Sequence, residues 1–161
     1  MSKGKQLFGL VGWLALSYAA ASVGAIASIN AREFYAQLSR PAWAPPGSVF
    51  GPVWSILYTL MAIAAWVVWR KGGWRANGKA LWLFVAQLAA NSLWSWLFFA
   101  WHLGAFAFVE VIVLWLLIAV MLATFWHRQR LAGVLLLPYI LWVTFASVLC
   151  FVTWRMNPSL L

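Results

Sequence analysis

Long stretches without a charged side chain dominate this sequence. They are residues 6–31, 41–69, 80–126 and 131–154, and Glu110 is the one charge that falls inside them. A helix needs about 20 apolar residues to cross a bilayer core of ~30 Å. The stretch 80–126 has 47 residues, enough for two helices, and His102 and Gly104 interrupt it near its middle. The sequence therefore predicts five membrane-spanning helices.

We expect an all-α integral membrane bundle that forms a single domain over residues 1–161. The five predicted transmembrane helices cover about residues 6–28, 50–70, 79–100, 104–126 and 131–155, and a lid-like loop covers about 29–49. Only 8% of the residues are charged, whereas a soluble domain has roughly 25%. The apolar stretches do not alternate as the strands of a membrane barrel do, so a barrel is excluded.

The basic residues indicate the orientation in the membrane. Eight of the 11 fall on the side of the N-terminus and of the second and fourth connections: Lys3, Lys5, Arg70, Lys71, Arg75, Lys79, Arg128 and Arg130. Because positive charge accumulates on the cytoplasmic side, we expect a cytoplasmic N-terminus and favour a bacterial cell membrane. The basic residues are scattered between apolar stretches, which favours membrane lipid over nucleic acid as their partner.

No catalytic or metal-binding constellation is visible in the sequence. The chain has no Asp, a single Cys at position 150, and two His that lie 25 residues apart at opposite ends of the fourth helix. Helical rise separates those imidazoles by about the thickness of a bilayer, so one subunit cannot join them in a metal site. We therefore expect neither a metal nor a required cofactor.

Polar and aromatic side chains recur at helical spacing on three of the predicted spans. The third span carries Gln87, Asn91 and Ser95 with Trp94 beside them, the second carries Trp54 and Tyr58, and the fifth carries Tyr139, Trp142 and Ala146. Together these faces are typical of a cavity for a flat, largely apolar ligand, with aromatic walls and a few polar groups. Hydrogen bonding and packing between helices also explain the same spacing.

The first loop has a pattern of its own. Phe34, Tyr35 and Leu38 recur at helical spacing, and three prolines follow within residues 41–46, which predicts a short amphipathic turn and then an extended segment. Such a loop serves as a lid or binding loop, or it anchors Trp43 at the level of the lipid headgroups. The sequence does not choose between these roles.

Glu110 inside a span is expected to be neutral, to snorkel to the surface or to pair with His102, and a proton-coupled role is one alternative. Two rows of small residues are also open to more than one interpretation: Ala20, Gly24 and Ser28 on the first helix, and Ala86 and Ala90 on the third. Small residues let helices approach closely, either within a monomer or between subunits.

Four segments resemble the signature of the tryptophan-rich sensory protein family, also called the translocator protein, peripheral benzodiazepine receptor or TspO/MBR family. They are residues 35–46 (YAQLSRPAWAPP), 49–58 (VFGPVWSILY), 87–99 (QLAANSLWSWLFF) and 138–157, which begins PYILWVTFASVL and ends WRMN. Their order, the length of the chain and the number of spans agree with that family throughout. By this resemblance the sequence is identified as a bacterial-type member.

The resemblance implies a bundle that is usually a homodimer, with a ligand pocket that opens toward the first loop. Family ligands are porphyrins such as protoporphyrin IX and haem, sterols in animal members, and drugs of the benzodiazepine site. Carried over position by position, the ligand-binding residues are Tyr35, Trp43, Trp54, Asn91, Trp94, Ser95, Trp142 and Ala146, to which the aromatic faces add Tyr58 and Tyr139. Cys150 and Phe151 depart from the animal sterol pattern, so a sterol is not the expected ligand.

The function implied is the binding of porphyrin or haem-type tetrapyrroles by a sensor, carrier or regulator of tetrapyrrole levels. One alternative is an enzyme that degrades porphyrin in light, with Trp54 and Trp142 as the candidate catalytic residues. Another is a secondary transporter of porphyrin or lipid-like molecules, which the lack of an internal repeat disfavours.

The 14 tryptophans fall into two groups under this interpretation. Trp43, Trp54, Trp94 and Trp142 belong to the candidate pocket, and Trp96 is expected to point away from it. The remaining nine are expected at the membrane interface or in lipid-facing packing: Trp13, Trp66, Trp69, Trp74, Trp82, Trp101, Trp115, Trp126 and Trp154.

Reporter fusions test the span count and the orientation. Five spans place the two ends of the chain on opposite sides of the membrane, so a reporter that is active only outside the cytoplasm should work at the C-terminus and not at the N-terminus. A reporter that is active only in the cytoplasm is the matched control and should show the reverse. Activity of one reporter at both ends would contradict the five-helix count.

Overall fold

The computed structural model describes residues 2–161, which form helices joined by short connections. The helices are α1 (Lys3–Ala27), α2 (Ala31–Gln37), α3 (Phe50–Trp69), α4 (Gly73–Ser95), α5 (Gly104–Arg128) and α6 (Arg130–Met156). A 3₁₀ turn at Gly47–Val49 leads into α3, and a π turn at Trp96–Ala100 continues α4. Five helices are long and apolar enough to cross a membrane, and the short α2 is the exception. The predicted all-α, multi-pass integral membrane fold is confirmed.

A short helical turn precedes the third span. The span was expected at about 79–100, and the helix that follows the kink at Asn77 agrees with that start, while the preceding turn begins at Gly73. Asn77 interrupts α4 with non-helical backbone angles (φ −125°, ψ 15°), and the Asn77 side chain donates to the Val68 carbonyl at 3.1 Å. The polar residues before position 79 therefore form a helical turn that satisfies a carbonyl at the end of α3, which a search for apolar stretches does not detect.

The break between α4 and α5 falls at the predicted place. His102 takes a positive φ of 52°, and α5 begins at Gly104. A Cβ atom at Gly104 would lie 2.6 Å from Trp154 Cδ1, so the missing side chain lets the start of α5 approach α6 closely.

The connections gather at the two ends of the bundle. At one end the Trp66 indole donates to the Gln6 carbonyl at 2.8 Å, and Arg128 reaches from the α5–α6 connection to the first turn of α4. At the other end the Asn157 side chain bonds to the backbone of Ser39 in the first loop. The N-terminus and the two most basic connections therefore share one end, opposite the first loop.

One row of small residues packs within the monomer. A Cβ atom at Gly24 would lie 3.2 Å from Ser95 Oγ, and the Ser92 hydroxyl donates to the Ala20 carbonyl at 2.9 Å. This row thus brings α1 close to α4. Ala86, from the other row, is exposed on the outer face of α4.

The expectation for Trp13 was wrong, because it lies in the core and not at the membrane interface. Trp13 is 6% exposed and packs edge-on against Phe84, with ring centroids 5.4 Å apart, while Trp74 lies 5.8 Å away. In a helix that is apolar on all sides, the pattern does not distinguish the face that meets protein from the face that meets lipid.

Gly133 gives a test of the contact between α5 and α6. A Cβ atom there would lie 3.0 Å from the Trp126 Cα, whereas a Cβ atom at Gly12 would meet nothing within 4 Å. Gly133→Ala should lower the free energy of unfolding by about 1–3 kcal/mol, because the added methyl overpacks a backbone that cannot yield. Gly12→Ala is the matched control and should leave stability unchanged or raised, since alanine favours a helix. Thermal unfolding in detergent micelles measures both, and equal stability of the variants would contradict the contact.

Candidate ligand site beneath the first loop

A hydrogen-bond chain links α3, α4 and α6 at the centre of the bundle. The Tyr58 hydroxyl donates to Asn91 Oδ1, and Asn91 Nδ2 donates to the Tyr139 hydroxyl, each at 2.8 Å. The Tyr139 hydroxyl donates in turn to Gln87 Oε1 at 2.7 Å. All four side chains are buried. Gln87 and Asn91 thus satisfy their polar groups within the bundle, which is the interhelical contact that their spacing also predicted.

Ser95 does not join this hydrogen-bond chain, although it lies one turn beyond Asn91. Its hydroxyl lies against Gly24 of α1. Residues four apart in an α-helix drift by about 40° around the axis at each step, so a stripe of three such residues turns away from its starting neighbour. The structure therefore separates Ser95 from Gln87 and Asn91.

Aromatic rings extend from the hydrogen-bond chain toward the first loop and form what we term the aromatic wall: Phe50, Trp54, Trp142 and Phe145. The ring centroid of Trp54 lies 5.7 Å from that of Tyr58 and 6.2 Å from that of Tyr139. Phe50 packs edge-on against Trp142 at 5.9 Å. The wall thus contains Trp54 and Trp142, and Trp54 also contacts Tyr58 and Tyr139, the other aromatic residues that were expected on the second and fifth spans.

The first loop contributes two more of the expected residues. Tyr35 packs edge-on against Phe50 at 5.6 Å, and its hydroxyl donates to the Pro45 carbonyl at 3.0 Å. Trp43 packs against Phe145 at 5.8 Å and remains half exposed. Phe50 and Phe145 were not named from the sequence. Each lies three or four residues from a predicted pocket tryptophan, so helical spacing was the signal that pointed to them.

Trp94 belongs to a second group of rings beneath the loop. It stacks on Phe98, with centroids 5.2 Å apart and 13° between the planes. Both pack in a cluster with Cys150 and with the loop residues Phe34 and Leu38. The first loop therefore covers this cluster and also contacts the aromatic wall.

Two indole nitrogens in these rings are buried, those of Trp94 and Trp142. The Trp94 side chain hydrogen-bonds to the Cys150 thiol, whereas the Trp142 N–H group has no partner. Ala146 lies one turn beyond Trp142 on the same side of α6, where its small side chain occupies little space. Because a buried donor without an acceptor is destabilising, Trp142 is a position at which an acceptor from a ligand would be favourable.

Glu110 does not pair with His102, so that expectation was wrong. Both carboxyl oxygens of Glu110 are buried, and no residue among 2–161 hydrogen-bonds to them. The His102 ring stacks instead on Phe34 of the first loop, with centroids 4.0 Å apart and 10° between the planes. The pairing fails because His102 precedes α5 and, with its positive φ, does not continue the helical face on which Glu110 lies.

Two open surface grooves lie near these rings. One, of about 430 Å³, is lined by first-loop residues alone, which include Arg40. The other, of about 390 Å³, lies between α3 and α6 and is lined by apolar residues that include Val53, Pro138 and Trp142. Trp142 therefore lines this outer groove. Within residues 2–161, no group of three His, Cys, Asp or Glu side chains is arranged to hold a metal ion.

Comparison with known proteins points to one family. The sequence profile of the TspO/MBR family matches residues 13–155. A tryptophan-rich sensory protein of Cereibacter sphaeroides is 39% identical over 145 residues, which cover 90% of this chain and 89% of the relative. Protein CrtK of Rhodobacter capsulatus is 38% identical over 145 residues, 87% of either chain. The translocator protein of Homo sapiens is 34% identical over 127 residues, 78% of this chain and 75% of the relative. The chain belongs to the TspO/MBR family.

Proposed function

We propose that this protein binds a porphyrin or haem-type tetrapyrrole beneath its first loop and acts as a sensor, carrier or regulator of tetrapyrrole levels. The observation that carries the proposal is the buried indole N–H group of Trp142, which lies among aromatic rings and has no acceptor. A flat macrocycle would stack on those rings, and its polar edge would accept a hydrogen bond from an indole. Membership of the TspO/MBR family supports a small hydrophobic ligand.

The expected site residues take different roles in this proposal. Trp54 offers a ring face for stacking, Tyr35 supports the site through its contact with Phe50, and Trp43 closes the site from the loop. Asn91 and Tyr139 are bound to each other and therefore form a fixed floor. Ser95 faces α1 and is not expected to touch the ligand.

We further propose a homodimer in membrane lipid, with the exposed face of α4 turned toward its copy. Ala86 and Ala89 are exposed on this face, and Trp82 is 64% exposed beside them. In lipid, small residues on an exposed face let a second helix approach closely. The basic end of the bundle would lie in the cytoplasm.

Trp142→Phe tests the ligand site. Phenylalanine keeps an aromatic ring but removes an N–H group that has no partner in the protein, so folding stability should hold. Affinity for protoporphyrin IX should fall roughly tenfold if that N–H group donates to the ligand. Trp101→Phe is the matched control, because Trp101 is exposed and its ring pairs with Trp96 away from the site.

Quenching of protein fluorescence during titration with protoporphyrin IX in detergent micelles measures both affinities. The absence of saturable quenching in the unsubstituted protein would contradict the proposal, as would equal weakening in the two variants. A new absorbing product that forms in light and is lost in Trp142→Phe would favour the degrading enzyme over a binding protein.

Ala86→Cys tests the dimer. In proteoliposomes under mild oxidation, this variant should form a disulfide-linked dimer on denaturing gels, because the two helices would approach at this face. Val109→Cys is the matched control, since Val109 is 62% exposed on α5 and outside the proposed interface. Equal cross-linking of both variants, or of neither, would contradict the proposed interface.

A further inference from the structure

We propose that the C-terminal tail is a latch that holds the first loop closed, and that Asn157 sets how often the loop opens. The latch is defined by the Asn157 side chain, the turn from Asn157 to Leu161, and the Ser39 backbone that they hold. The claim about ligand entry rests on the proposed function, whereas the claim about loop opening does not.

The Asn157 side chain forms hydrogen bonds with main-chain atoms of the first loop. Its Oδ1 accepts from the Ser39 N–H at 2.8 Å, and its Nδ2 donates to the Ser39 carbonyl at 2.8 Å. The same Nδ2 also donates to the Thr153 carbonyl at 2.7 Å, which fixes the side chain to the last turn of α6. Asn157 is 4% exposed, so these bonds are largely shielded from water. A short polar side chain thereby joins two segments that are 118 residues apart.

The residues after Asn157 turn back toward the loop. The N–H groups of Leu160 and Leu161 donate to the Asn157 carbonyl at 3.1 Å and 3.0 Å. This turn places Leu161 against the cluster that contains the loop residues Phe34 and Leu38. The C-terminal tail thus contacts the first loop in two ways, through the hydrogen bonds of Asn157 and through the apolar contact of Leu161.

The other polar contacts of the first loop differ from those of Asn157, because they do not join the loop to a spanning helix. The Tyr35 hydroxyl bonds to Pro45, and the Arg40 guanidinium lies 4.4 Å above the Tyr35 ring, so these contacts stay within the loop and move with it. Phe34 stacks on His102, which is itself in a connection. Within residues 2–161, Asn157 is the one residue of a spanning helix or its cap whose side chain hydrogen-bonds to the backbone of the first loop. Loss of this side chain therefore removes the polar hold on the loop, while the ring contacts of Phe34, Tyr35 and Trp43 with the bundle remain.

Hydrogen exchange on the full chain in detergent micelles tests the latch directly. In Asn157→Ala, the amides of residues 38–46 should exchange roughly tenfold faster, because two hydrogen bonds that hold the loop are gone. Asn157→Asp places a carboxylate oxygen against the Ser39 and Thr153 carbonyls, to which it cannot donate, so its effect on loop exchange should be at least as large as that of Asn157→Ala. Ser39→Ala is the matched control and should exchange as the unsubstituted protein does, because Ser39 takes part through its backbone alone.

Two results would overturn the latch. One is loop exchange in Asn157→Ala that equals the exchange in Ser39→Ala. The other is faster exchange throughout α3 to α6 in Asn157→Ala, which would show that Asn157 supports the bundle and not the loop alone.

Stopped-flow quenching with protoporphyrin IX tests the link to ligand entry. If the loop gates the site, Asn157→Ala should raise the association and dissociation rate constants by a similar factor, roughly tenfold, and leave Kd within about threefold. A rise in the dissociation rate constant alone would contradict gating, because it would indicate direct contact with the ligand. If the unsubstituted protein does not bind the porphyrin, the proposed function fails, while the exchange experiment still decides the latch.

Discussion

Polar groups inside a membrane must find their partners within the protein, because lipid offers none. The backbone meets this requirement with five spanning helices. The buried side chains meet it with a hydrogen-bond chain that joins α3, α4 and α6 at one point. The aromatic wall lies next to this hydrogen-bond chain, which forms the floor of the site, and the first loop covers the wall. Near this floor, the Trp142 indole N–H group and the Glu110 carboxyl have no partner within residues 2–161, and the indole, which lies among aromatic rings, is the clearest chemical mark of a site.

Much of the fold could be predicted because hydropathy responds to a strong physical requirement. Stretches without charge gave the number of spans, and His102 and Gly104 marked the break between two of them. The short helical turn that precedes the third span was beyond this signal. It depends on Asn77, a polar residue that bends the helix and bonds to the end of α3. Such a contact depends on one side chain, and the mean hydropathy of a stretch of residues does not reveal it.

The site was predictable to the extent that neighbours share a helix. Spacing placed Trp54 near Tyr58 and Gln87 near Asn91, and these pairs do share their surroundings. Spacing along one helix does not predict which neighbouring helix a given face contacts. Ser95 is an example, because it lies against α1. The same reason explains why the grip of Asn157 on the first loop was missed. No spacing pattern relates the two segments to each other, and only the folded chain brings them together.

The π turn that ends α4 has a consequence for the surface beneath the first loop. A π turn holds one residue more than an α turn, and removing that residue would rotate the residues that follow by about 100°. Phe98, within this turn, meets Trp94 on one side and the loop residue Phe34 on the other. A single-codon deletion there would leave the span intact and present a different ring to the loop. An insertion or deletion at this one turn would therefore change the surface beneath the loop while keeping the hydrogen-bonded floor.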